Sequence, residues 1–159
     1  IPIVRVDLWE ERIKANVSFI KKSNKAGNDK KIIGALDYYQ KIIPKLYRGT
    51  KKIRGFLNSL KSNWEGRRKV TYREVKAQDL RVVGHKSTAL AAQTFMLSMA
   101  GLGYDTCPME GFDSVRLKKY LKLPQKAEIS MVIGCGIRKK EGLYGDRFRL
   151  PFEEIYFKK

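Results

Sequence analysis

Apolar positions along this chain recur in two rhythms. Over residues 1–7, "IPIVRVD", apolar and polar side chains alternate, which predicts a short strand. The next stretch, "LWEERIKANVSFIKKSNKAGND", carries apolar residues near helical spacing and ends in turn chemistry at "NKAGND". In "KKIIGALDYYQKIIPKL" the side chains of Ile32, Ile33, Leu36, Tyr39, Ile42 and Ile43 fall on one helix face, interrupted by Pro44. Residues 45–75 are expected to form short helices and a loop over a core, anchored by Phe56, Leu57, Leu60 and Trp64. A long helix is predicted over 79–102, with Asp79 as its N-cap and Gly101 and Gly103 ending it. From Ser87 to Ala100 this helix has no charge. Small residues alternate there with Leu90, Phe95, Met96, Leu97 and Met99. A helix apolar on all sides is expected to be buried on all sides, centrally or in a subunit interface. "SVRLKKYLKLP" (114–124) reads as an amphipathic helix with Val115, Leu117, Tyr120 and Leu121 inward. "EISMVIGCGI" (128–137) has the apolar density of a central strand, and "EEIYF" reads as a C-terminal strand. The mixed order of elements predicts an α+β or layered α/β class in a single domain over residues 1–159.

Composition narrows the function classes. No run approaches the roughly 18 apolar residues of a membrane span. Two cysteines, Cys107 and Cys135, are too few for a disulfide framework or a four-cysteine zinc site, and are expected to be buried reduced thiols. The single histidine, His85, argues against a His-based metal site or a Ser-His-Asp triad. It is expected to be structural or solvent-facing, early in the long helix. No metal ligands and no catalytic side chain stand out. The opening "IPIVRVDLWE" reads as a strand entering a helix rather than a signal peptide. With no initiator Met, it raises the expectation of an N-terminal segment missing from this sequence.

The net charge of +18 changes the picture of partners. Residues 1–78 hold 20 basic and 7 acidic side chains, against 14 and 9 in the remainder. Such an excess favours polyanions or phosphate-bearing ligands, or it is a solvated face. A nucleic-acid-binding role is the less favoured reading. The basic residues are spread over several elements, and no helix-turn-helix, zinc-ligand or ribonucleoprotein signature accompanies them.

The sharpest local feature follows the long helix. "YDTCPMEGFD" (104–113) leaves a helix and at once places a proline and a glycine in a polar turn. Taken alone, "PMEGF" is an ordinary type I or II turn, Glu110 a capping or surface carboxylate, and "RFR" (147–149) a solvated pair. The order of parts says more: apolar helix, glycine stop, "YDTCPMEGFD", amphipathic helix ending "LKLP", strand "ISMVIGCGI", loop, "RFRLPFEE". Over residues 79–159 this order resembles the FMN-dependent nitroreductase family.

The resemblance implies a layered α/β/α sandwich with a mixed, mainly antiparallel sheet and a long buried central helix. It implies a homodimer, cytoplasmic, with FMN in a groove between subunits. It also implies hydride transfer from NADH or NADPH, by a ping-pong route through the flavin, to nitroaromatics, quinones or similar small-molecule acceptors. Pro108, Met109, Glu110 and Gly111 match the turn that lies against the isoalloxazine ring, and Arg147 and Arg149 match the pair that holds the FMN phosphate. The residue types suit those roles. Gly111 lets backbone approach a flat ring, Pro108 stiffens the turn, and backbone N–H groups stabilise negative charge on a reduced ring. Two arginines two apart on an extended segment face one side and bind phosphate through their planar forks. The family's N-terminal basic-basic-Ser-any-Arg motif and its Pro-Ser-any-any-Asn-any-Gln-Pro turn are absent from these residues. That departure motivates an alternative: a flavin-fold binding or sensing protein without reductase turnover.

Overall fold

The computed structural model describes residues 1–23, 30–48, 52–142, 145 and 148–158. The turn expected at "NKAGND" falls on 24–29 and lies outside the described residues. Strand β1 (Ile3–Val4) leads through a short 3-10 turn into helix α1 (Trp9–Ser23). Glu10 and Glu11 stand in the first turn of α1 and Lys21 and Lys22 in its last, each matching the sign of the helix dipole. Helices α2 (Lys30–Asp37) and α3 (Ile43–Arg48) are joined by a wide π-turn over Tyr38–Ile42. The interruption expected at Pro44 takes this form. The Ile43 N–H reaches back to the Tyr38 carbonyl, so Pro44 falls in the first turn of α3, where no amide donor is needed.

Residues 45–75, expected to hold short helices and a loop, contain the end of α3, the 14-residue helix α4 (Lys52–Glu65) and a non-helical stretch over 66–75. Its expected anchors Phe56, Leu57, Leu60 and Trp64 are all exposed, while Gly55 and Ser62 are buried. The small-residue face is the buried one, and the large side chains are left uncovered by the described residues.

Helix α5 (Ala77–Gly101) is the long predicted helix. Its N-cap is Lys76, and Asp79 sits three residues on, accepting the Lys76 N–H at 2.8 Å as the returning half of a capping box. At its far end Gly103 takes φ +83, and the Tyr104 N–H closes on the Met99 carbonyl at 2.9 Å. This is the left-handed stop that glycine permits. Hydroxyls within α5 bond one turn back, Thr88 to Gly84, Thr94 to Leu90 and Ser98 to Thr94. Polar groups are thereby satisfied on a helix that carries no charge beyond Lys86.

The expectation that α5 is buried on every side is corrected within this chain. Ala92 is its one buried residue, while Leu90 is 73% and Leu97 64% exposed. The face that is covered meets β1. A Cβ at Gly84 would lie 2.8 Å from Val4 Cγ1, so glycine is what allows this approach.

The strands form two separate two-stranded antiparallel ribbons, β1 with β3 (Glu128–Ile129) and β2 (Asp105–Met109) with β4 (Val132–Gly136). The single strand expected over 128–137 is therefore two short strands serving different partners. Val4, Ala127 and Ile129 are buried where β1 and β3 meet α5. Helix α6 (Ser114–Tyr120) is shorter than expected, ending at Leu121 before Lys122 with φ 52. Leu117 and Leu121 are half-buried, but Val115 and Tyr120 face solvent. The expected C-terminal strand is a single helical turn, α7 (Phe152–Ile155), with Phe152 stacked on Tyr156 at 4.9 Å. An N–H to carbonyl bond from Tyr156 to Phe152 closes that turn, and no strand lies beside it among the described residues. The class is α+β, rich in helix with small antiparallel sheets.

Candidate functional site

The turn at 108–111 grows out of ribbon β2–β4. Register pairs Asp105 with Gly136, Thr106 with Cys135, Cys107 with Gly134, Pro108 with Ile133 and Met109 with Val132. Pro108 gives up a ladder donor, which a two-stranded ribbon tolerates because each strand is an edge. Helix α5 packs against β2. Past Met109 the ladder ends, so the amides of Glu110 and Gly111 have no strand partner among the described residues. The Phe112 N–H then donates to the Glu110 carbonyl at 3.1 Å, a tight three-residue bend. Asp113 follows as the N-cap of α6, its Oδ1 accepting from the amides of Val115 at 3.1 Å and Arg116 at 3.0 Å. The bend is thus held by a ladder on one side and a capped helix on the other. Glu110 and Gly111 are exposed, and a Cβ on Gly111 would meet nothing within 4 Å. The chain's own packing does not require glycine there.

At the opposite end of the ribbon Asp105 accepts from the Arg138 amide at 3.2 Å and pairs with its guanidinium at 3.7 Å. This clasp borders a cleft of about 460 Å³ along β4, floored by Gly134 and Gly136 with Cys107 beside them.

Both cysteines are exposed, which corrects the expectation of buried thiols. The register explains it. Cys107 shares a face with Gly134 and Cys135 shares the other with Thr106, so the two thiols lie on opposite sides of a ribbon too narrow to bury either.

Pro108, Met109, Glu110 and Gly111 stand together in one continuous turn. Arg149 is exposed, and its Nη1 donates to the carbonyl of Phe148 at 2.7 Å, a local bond that does not bring it to the turn. Arg147 lies outside the described residues.

Sequence reasoning missed a polar junction between α5 and β3. His85, on α5, contacts Glu128 Oε2 through Nε2 at 3.1 Å and Ser130 Oγ through Nδ1 at 3.2 Å. Arg81 donates to the same Glu128 oxygen. His85 is therefore structural, joining α5 to β3. Burial pushes the Glu128 carboxyl up, but hydrogen bonds from His85 and Arg81 outweigh it and hold it below the usual carboxylate range. The i, i+4 spacing of Arg81 and His85 was visible, but their partner 43 residues beyond His85 was not.

A long helix, a ribbon packed on it, and an exposed backbone turn held between strand end and helix cap define an α+β protein of nitroreductase fold. A Bacillus subtilis structure of the nitroreductase-named protein ydfN matches 94% of this chain and 59% of its own, with TM-score 0.58 and 24% identity. A nitroreductase family protein of Streptococcus pneumoniae matches 99% of this chain and 62% of its own, with TM-score 0.59 and 18% identity. The chain belongs to the Nitroreductase family, whose sequence model matches residues 12–137. It is 31% identical over 125 residues to MhqN of Bacillus subtilis, which carries the name NAD(P)H nitroreductase, covering 78% of this chain and 60% of that protein. It is 35% identical over 66 residues to Protein DrgA of Synechocystis, covering 42% of this chain and 31% of that protein. The chain spans about three fifths of the length of MhqN and of the two solved structures.

Proposed function

We propose that this chain is part of an FMN-dependent NAD(P)H oxidoreductase that reduces nitroaromatic, quinone or similar flat acceptors. The observation that carries the reading is the 108–111 turn, exposed, pinned at both ends, and ending in a glycine its own packing does not need. An open glycine beside amides that lie past the end of the strand ladder is a surface to which a planar ring can come close.

FMN, when bound, would supply the hydride chemistry of a ping-pong exchange. The chain's residues do the rest. Pro108 and Met109 anchor the turn to the end of the ribbon, and the amides of Glu110 and Gly111 offer donors toward negative charge on the ring. Arg147 and Arg149 are assigned to the phosphate, for which guanidinium is well matched. The uncovered apolar side of α5 supports a homodimer with the site between subunits. Two unpaired, exposed thiols suit a reducing compartment, and the cytoplasm is the assigned setting.

An absorbance spectrum of the intact purified protein tests this. A flavin band that persists through dialysis after FMN addition, and that NADH or NADPH bleaches without oxygen, is the expected result. Arg149→Ala is expected to lose bound flavin with its fold unchanged. A colourless protein that FMN cannot reconstitute would sink the proposal.

A further inference from the structure

The positive charge of the N-terminal half is not spread evenly over solvent. Lys41 and Lys45 on the α2–α3 run, Lys61 on α4 and Lys69 beyond it open into one cleft of about 660 Å³. That volume is the size of a small-molecule site rather than a polymer track. Glu65 enters the same cleft and organises it. Its carboxylate pairs with Lys69 at 3.1 Å and Lys61 at 3.8 Å. The hydrogen bond from Lys69 comes first, with Lys61 and Lys45 adding to it, and together they hold the Glu65 carboxyl below its ordinary range despite the opposing effect of burial. Lys41 pairs with Asp37 at 2.8 Å. Lys45, Lys61 and Lys69 thus gather around one carboxylate of the lining, while the partner of Lys41, Asp37, is not part of that lining. Each ammonium has three donors, so an ion pair leaves most of them available.

The cleft is not only charged. Ile42 and Tyr72, both exposed, line it, and Val75 forms a buried part of its wall. Exposed apolar surface beside converging cations matches a ligand with a ring at one end and an anion at the other. Like charges gathered in a concavity focus potential inward, whereas a solvated face disperses it.

We infer that this cleft binds a small organic phosphate carrying a planar ring, of the chemical class of a nucleoside diphosphate. The inference does not rest on the flavin reading, since it uses none of residues 108–149.

Calorimetric titration of ADP, pyrophosphate and adenosine into the intact protein at low salt tests it. ADP is expected to bind more tightly than either fragment. Lys45→Gln and Lys61→Gln, both exposed positions, are each expected to weaken ADP about tenfold, the scale of one hydrogen bond to a charged group. Lys119→Gln, an exposed lysine on α6, removes the same charge elsewhere and is expected to leave ADP affinity unchanged. Three results would overturn the inference. One is no ADP binding. Another is pyrophosphate binding as tightly as ADP. The third is equal loss in Lys45→Gln and Lys119→Gln, especially with a single-stranded oligonucleotide binding more tightly than ADP, which would mark a diffuse basic surface.

Discussion

Gly84 and Gly111 look alike in the sequence and do opposite work. Gly84 is a packing glycine, because an added methyl would sit 2.8 Å from Val4 Cγ1. Val4 is buried and β-branched, so it has little room to turn away. Alanine gains up to about 1 kcal/mol of helix propensity, but overpacking costs about 1–3 kcal/mol. Overpacking therefore wins, and Gly84→Ala should lower the unfolding free energy by about 1 kcal/mol in a denaturant melt. Gly111 faces open space, so Gly111→Val should leave stability within about 0.5 kcal/mol. In the same variant bound flavin should fall several-fold by absorbance, since the branched side chain stands where the ring is assigned. Equal flavin content in Gly111→Val and the parent would remove the turn from the site. Only Gly111 drew notice in the sequence, because it follows Pro108 in a turn, whereas Gly84 is hidden inside an unbroken helix.

Elements here are held in place by side-chain bonds at their ends and crossings. Asp113 fixes the site turn by capping α6, and a helix of seven residues has little else to define its start. Asp113→Ala should cost about 1 kcal/mol, the typical loss of an N-cap, and should also loosen flavin binding. Stability and flavin retention measured together check this, since a purely structural cap would change only the first. The Arg81–His85–Glu128 junction ties α5 to β3. A carboxyl whose folded pKa is depressed adds stability that is fully present above its unfolded pKa and lost as pH falls through the folded value. The Glu128 contribution should therefore be intact at about pH 6 and fade below about pH 4.5. Thermal melts across that range should show a smaller acid-induced drop for Glu128→Gln than for the parent. The cap at Asp113 was not picked out in the sequence, although an aspartate just before "SVRLKKY" is a local signal for one. The junction has no such signal, because hydrogen-bond partners far apart in sequence have no local signature.

On the scale of the whole molecule, the apolar surface left open by this chain is its clearest property. Leu90 and Leu97 lie seven residues apart, on one side of α5, and both are largely exposed. If that side is a subunit interface, Leu90→Glu should shift the intact protein from dimer to monomer in light scattering, with far-ultraviolet circular dichroism unchanged. A dimer that persists in Leu90→Glu would place the interface elsewhere. The same pattern runs through the comparison of sequence with structure. The sequence by itself determined the α5 helix, its glycine stop, the turn after it and the α+β class, because periodicity, capping and turn chemistry are local properties. It also carried the family resemblance through the order of its motifs. Only the tertiary structure decided that the apolar strand at 128–137 divides between two ribbons, that α4 turns its small side inward, and that both thiols are exposed. It alone gathered lysines from three separate segments into one cleft. Those outcomes depend on which surfaces meet, and burial is a property of pairs of surfaces, whereas a sequence pattern describes only one of them.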